Sequence, residues 1–325
     1  MRGTALPSVS GPSIPCRNGK TPSDRTVSDS APDQDAARAD AFTAARPRLI
    51  RLAYRMLGSL TEAEDIVQEA YIRWHHREPA GIREPAAFLS RIVTNLCLDQ
   101  LKSARVKRES YVGPWLPEPI VDPLAEDGGD DITVTLMLAL ERLSPLERAA
   151  FLLHDVFGVG FDEIAMSLKR DPAACRQLAR RARAHVQAAR PRFPVSPERG
   201  RDLAEAFLNA SIKGDMQGLQ ALLAEDVVLY GDGGGKVAAT FNPIFGPAKV
   251  SRFFQGLSRK KGYGPTIVLR RCVIDGLPGF VTIDGRGLLQ TTALAIDAGR
   301  IKAIYTVRNP DKLRHVAEGL PPLAS

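Results

Sequence analysis

Histidine and cysteine are scarce in this chain of 325 residues, with five of the first and four of the second. Cys16, Cys97, Cys175 and Cys272 lie far apart and form no CxxC pair, so neither a disulfide framework nor a zinc site is expected. A reducing, cytoplasmic compartment fits that usage. Long apolar runs are missing too: nothing approaches the ~20 residues of a membrane span, and the N-terminus has no hydrophobic signal core. The expectation is a soluble protein with no membrane contact, no cofactor and no bound metal. What is present in quantity is positive charge. The net charge of +7 suits a nucleic-acid partner, and the chain is long enough for two or three cored domains.

The charge concentrates in residues 160–192. Phe161, Ile164, Ala165 and Leu168 form an apolar stripe at helical spacing. Asp171 and Pro172 then read as an N-cap followed by proline at the first helical position. The second helix hides Leu178, Ala182 and Val186 and shows Arg176, Arg180 and Arg183 on its other side. Between positions 169 and 192 eight Lys and Arg face one acid, Asp171. The pattern is a helix-turn-helix whose second helix suits a major groove, set in a four-helix unit over residues 132–194.

Residues 1–40 are rich in proline, serine and glycine with almost no large apolar side chains, which predicts a disordered tail. Residues 41–110 read as a first helical domain. Its second helix opens on a capping box, Thr61 to Glu64, and carries a core stripe from Ala63 to Trp74 opposite an acidic face of Asp65, Gln68 and Glu69. Its third helix, from Pro85, holds Asn95 and Asp99 four apart, with Lys102, Arg105, Lys107 and Arg108 following. Residues 111–131 form a linker in which Trp115 sits in a frame that includes Pro114 and Pro117, a strip expected to find a partner surface.

From position 196 the pattern changes to two helices followed by short β-branched runs, with turns expected at 276–279 and 297–299. Helices first and a curved antiparallel sheet afterwards give an α+β cone over residues 196–325. Catalysis in such a cone needs an acid–base pair. The domain holds one histidine, His315, and the acids Asp232 and Asp284 sit in glycine-flanked turns, so no catalytic residues are assigned. The string from Asp232 through Gly234 to Lys236 lacks phosphate-loop spacing, and Asn309-Pro310-Asp311-Lys312-Leu313 reads as a helix start.

LGSLTEAEDIVQEAYIRW followed by PAAFLSRIVTNLCLDQLKSAR resembles region 2 of bacterial sigma factors of the extracytoplasmic-function group, and the helix-turn-helix resembles their region 4. The linker string YVGPWLPEP, DGGGK at 232–236 and NPDKL at 309–313 resemble the subgroup with a SnoaL-like C-terminal extension. The resemblance implies two all-α sigma domains followed by a SnoaL-like cone. It implies docking of Asp65, Gln68 and Glu69 on the β′ clamp of core RNA polymerase, and a further contact with the β flap. Residues 75–84 and the Asn95 helix would capture an unstacked minus-ten base, with Lys102, Arg105, Lys107 and Arg108 on phosphates. Arg176 and Gln177 would read minus-thirty-five base edges, with Arg180 and Arg183 on phosphate. Trp115, Pro117, Asp232, Gly234, Lys236 and residues 309–313 would join the extension to the sigma core and regulate it. A ligand-sensing helix-turn-helix regulator that does not bind polymerase, and a polyketide-cyclase-type enzyme fused to a DNA-binding module, are the alternative readings.

Overall fold

The computed structural model describes residues 31–76, 84–121, 133–189, 195–260 and 266–320, with backbone alone at 31–35, 37 and 103–109. Three long helices come first: α1 (Ala31–Leu57), α2 (Leu60–His75) and α3 (Pro85–Glu109). After the linker come α4 (Val134–Glu141), α5 (Pro145–Phe151, running on into a π-helical turn, Leu152–Val156), α6 (Phe161–Leu168) and α7 (Pro172–Ala189). These helices share one apolar core, because α3 packs on α5 and α6 while α1 packs on α5. The last part holds α8 (Pro197–Lys213), α9 (Met216–Leu222), β1 (Leu223–Asp232), β2 (Ile244–Phe245), α10 (Pro247–Arg259), β3 (Ile267–Ile274), β4 (Leu277–Ile283), β5 (Leu289–Asp297), β6 (Arg300–Val307), a 3-10 turn (Pro310–Leu313) and α11 (Arg314–Glu318). Among the described residues no helix is long and apolar enough to cross a membrane.

The strands form one sheet in the order β2-β1-β6-β5-β4-β3, antiparallel except for the parallel pair β1 and β6. Strand alternation gives the sheet two apolar faces. Ile301 and Ile304 of β6 join Phe207, Leu219 and Val250 under the three helices. Ala303, Tyr305 and Val307 of the same strand turn to the other face, where Leu116 of the linker, Val134 of α4, and Leu313 and Val316 cover them. The cone is therefore roofed on its outer face in part by the linker and by α4.

Several expectations need correction. Helix α1 begins at Ala31, ten residues inside the segment expected to be disordered. Arg38 supports that extension, its guanidinium 5.0 Å from the centroid of the Trp74 ring and bonded to the Trp74 carbonyl. The remainder of the tail lies outside the described residues. Helix α2 is capped by Ser59, not Thr61: the Ser59 hydroxyl accepts from Glu62 N at 3.1 Å. The helix begun at Pro145 changes to π geometry at Leu152. The turn expected at 276–279 is one step earlier, since Asp275 and Gly276 have φ of 43° and 71° and Leu277 already opens β4. Helix α10 and strand β2 were not expected, although Val250, Phe253, Phe254 and Leu257 carry the helical spacing.

Candidate functional site

The recognition unit forms as its sequence dictates. Lys169 ends α6 in the left-handed conformation at φ 52°, and the Asp171 carboxylate accepts from Ala174 N at 2.8 Å to start α7. The buried stripe of α7 is Cys175, Ala179, Ala182 and Val186. Leu178, expected among these, is only half-buried, and Ala179 takes the buried position beside it. Arg176, Gln177 and Arg180 are exposed, and the Arg176 guanidinium stands 5.9 Å from the Phe161 ring centroid. Arg183 differs: Asp155 holds it with two hydrogen bonds, at 2.7 and 3.1 Å. In this state Arg183 braces α7 against the π turn and is committed to a carboxylate.

On α2, Asp65 and Gln68 are exposed, while Glu69 pairs with Arg73 at 2.8 Å. Asn95 is half-buried on α3. Asp99 receives Lys102 at 2.7 Å, and that hydrogen bond holds its carboxyl below the usual range. Arg105, Lys107 and Arg108 continue the α3 backbone, and their side chains lie outside the described residues, as do positions 77–83 of the expected base-capturing segment.

The expected interdomain residues meet at one point. The Asp232 carboxylate is fully buried and accepts from Leu116 N at 2.9 Å, Gly234 N at 3.1 Å, Tyr111 Oη at 2.5 Å and Lys312 Nζ at 2.8 Å. Lys312 also donates to Leu116 O at 2.5 Å, and its ammonium lies 4.8 and 4.4 Å from the ring centroids of Tyr111 and Trp115. Asn309 Nδ2 donates to Tyr111 Oη at 2.9 Å. Gly234, at φ 60°, lies so close to Asn309 and Tyr111 that any Cβ would collide with them. Pro117 and Leu313 are buried, while Lys236 and Asp311 close the rim with a surface ion pair and Pro310 is exposed. The Trp115 ring lies against Gly58 at the end of α1. Linker, cone and first helical module are thus fastened together.

Sequence reasoning missed the second half of this fastening. Glu118 caps α2 from the linker: its carboxylate accepts from Ser59 Oγ at 2.6 Å, Leu60 N at 2.9 Å and Thr61 N at 3.3 Å. Arg148 of α5 reaches across to Met56 O at 2.6 Å, at the end of α1. His315 Nε2 lies 2.7 Å from Pro119 O. Tyr54 Oη lies 2.8 Å from Glu118 O and 2.9 Å from Asp275 Oδ1, with one proton for two acceptors. The one legible signal was Glu118 itself, a carboxylate fixed between Pro117 and Pro119.

Burial pushes Asp275 up to about 7, against hydrogen bonds from Tyr54 and Ile120 N that favour its charged form. When protonated, Asp275 can donate to Tyr54, freeing the tyrosine proton for Glu118 O. Because the folded-state value is raised, the native chain holds a proton that the unfolded chain has released between pH ~4 and ~7. Stability from this group is full below that window and is lost as pH rises through it. The expected loss is on the order of 2 kcal/mol between pH 5 and pH 8. Thermal melts across that range check it, and Asp275→Asn should flatten this part of the profile.

Of the three acid–base candidates only Asp284 reaches the cavity of the cone, and there it is paired with Arg308. His315 and Asp232 are spent on the linker. Among the described residues no cluster of His, Cys, Asp or Glu is placed to hold a metal.

Comparison with known proteins agrees with this arrangement. Residues 41–106 match the family model for sigma-70 region 2, and residues 133–186 match that for sigma-70 region 4. The ECF RNA polymerase sigma factor SigJ of Mycobacterium tuberculosis is 37% identical over 286 residues, covering 83% of this chain and 91% of that protein. The probable ECF RNA polymerase sigma factor SigI of the same species is 32% identical over 280 residues, covering 84% and 93%. The crystal structure of SigJ superposes with a TM-score of 0.68 at 34% identity, covering 85% of this chain and 98% of that one. The two region models in order, and relatives that extend through the cone, show that this chain belongs to the extracytoplasmic-function family of RNA polymerase sigma factors, which direct core RNA polymerase to promoters.

Proposed function

We propose that this sigma factor is restrained from within, and that the quantity restrained is the separation of its two DNA readers. What carries the reading is the buried Lys312–Asp232 pair that fastens the cone to the linker, with regions 2 and 4 packed into one core beside it. Minus-ten and minus-thirty-five elements lie roughly 25 base pairs apart, about 85 Å of B-form duplex. Two modules in side-by-side contact cannot span that distance. Arg176, Gln177 and Arg180 are exposed while the modules touch, so exposure of the recognition helix is not what changes. The linker must be released before both elements are read at once, and a state that binds polymerase extended draws the equilibrium that way.

In the extended state Asp65, Gln68 and Glu69 dock on the β′ clamp and region 4 meets the β flap. Asn95 holds a flipped minus-ten base while Lys102, Arg105, Lys107 and Arg108 grip phosphates. Arg176 and Gln177 read minus-thirty-five bases, and Arg180 contacts phosphate; Arg183 joins it only on leaving Asp155. The functional units are residues 41–110, 132–194 and 196–325, working in the cytoplasm beside the polymerase. Arg176→Ala should cost about 1–3 kcal/mol of binding and relax base preference at one position. A filter-binding series on single-base variants checks this, and equal weakening on every sequence would remove the base-contact role.

The decisive comparison is promoter-specific transcription with core polymerase. It uses the full chain, a chain ending at Arg308 and a chain ending at Pro194. Loss of residues 309–325 removes Asn309, Lys312 and Leu313, and initiation should rise about 5-fold or more. Equal initiation by all three chains sinks the proposal.

A further inference from the structure

The buried Lys312–Asp232 pair, which clamps the linker to the cone, lies on the outer side of the sheet, and the inner side encloses a cavity of about 540 Å³. That volume lies in the range that buries a small organic ligand. Its helical wall is apolar, with Phe207 of α8 and Phe253, Phe254 and Leu257 of α10. Its sheet wall carries the hydroxyls of Thr292 and Thr306 and the buried Arg308–Asp284 pair. Two polar groups on the lining have no hydrogen-bond partner among the described residues: Arg308 Nε, in a residue 8% exposed, and the Thr240 hydroxyl. A buried donor left unpaired destabilises the fold by about as much as a lost hydrogen bond.

We propose that this cavity binds a small amphiphile: an apolar body against the phenylalanines, with one carboxylate or carbonyl oxygen accepting from Arg308 Nε and the Thr240 hydroxyl. Asp284 balances the Arg308 charge, so the head group is chosen by its acceptor oxygen and not by a net positive field. The site backs directly onto the clamp. Gly231 and Arg308 line the cavity, while their chain neighbours Asp232 and Asn309 bind the linker, and both Arg308 N and Asn309 N donate to Asp232 O at 2.7 and 3.0 Å. An occupant that moves Arg308 thereby moves the partner of Lys312. This consequence rests on the clamp reading, whereas binding itself does not.

The test is calorimetric titration of the full chain with decanoate and, separately, with 2-decanone, which distinguishes a carboxylate head from a neutral carbonyl. Saturable one-to-one binding of either is expected. Arg308→Lys keeps a cation beside Asp284 but removes the Nε donor, and Thr240→Val removes the hydroxyl with little change of shape. Each should weaken binding about tenfold, and Ser211→Trp, which fills the cavity from α8, should abolish it. Failure of both probes to bind saturably, or binding indifferent to the Arg308 and Thr240 substitutions, overturns the proposal. The truncation series uses no ligand, so a failure here and a failure there are separate results.

Discussion

Lys312→Met is expected to destabilise the chain by about 3 kcal/mol and to raise promoter-specific initiation at the same time. The ammonium is buried, with a carboxylate, a carbonyl and two aromatic faces around it. Methionine fills most of the volume but leaves the Leu116 carbonyl and the Asp232 carboxylate without their cation. Removing one partner of a buried pair costs about 3–5 kcal/mol. The lower figure applies here, because Tyr111, Leu116 N and Gly234 N still donate to Asp232. Denaturant melts measure the first effect and runoff transcription the second; small-angle scattering should show a larger radius. Lys312→Met combined with Asp232→Asn should recover part of the loss, since no buried charge then stands alone. A stability change below about 1 kcal/mol would mean that water already reaches the pair.

Arg148→Met carries the second large effect, also about 3 kcal/mol or more. Arg148 is 2% exposed and its guanidinium satisfies Leu140 O at 3.0 Å, Met56 O at 2.6 Å and Glu141 at 2.8 Å. Two of those acceptors are at helix ends, where carbonyls have no partner in their own helix. Burial lowers the group to about 10, which still leaves it charged at neutral pH. Because Met56 belongs to region 2 and Arg148 to region 4, the substitution should part the modules while the Asp232 clamp stays shut. Scattering and thermal melts would then show a loosened helical half on an intact cone. A fall in stability with the sigma core unchanged in dimensions would assign Arg148 to region 4 alone.

Those two residues mark where the sequence was and was not legible. The three strings that carry Trp115, Asp232 and Lys312 were readable as points of contact through their resemblance to the SnoaL-extended subgroup; taken alone, the last two read as a glycine turn and a helix start. The helix-turn-helix cap at Asp171 was legible because capping is local. Arg148 and Asp275 were not, since each meets a partner more than fifty positions away in the chain, and Glu118 showed only as a carboxylate between two prolines. Arg183 was placed in the DNA-facing row from spacing alone, which gives no sign of the Asp155 carboxylate that the π turn brings under it. The sheet was anticipated from its β-branched runs, whereas β2, two residues long, carries no such signal.

Glu118 has a consequence for how opening would be timed. The first amides of α2, Leu60 and Thr61, are held by a carboxylate that belongs to the linker. When the linker leaves, those amides lose their acceptor while the Ser59 cap stays behind. Hydrogen–deuterium exchange at Leu60 and Thr61 should therefore run at the rate of linker release, and deeper amides of the same helix should lag. The helix proposed to dock on the polymerase would then carry its own clock for the event that frees it.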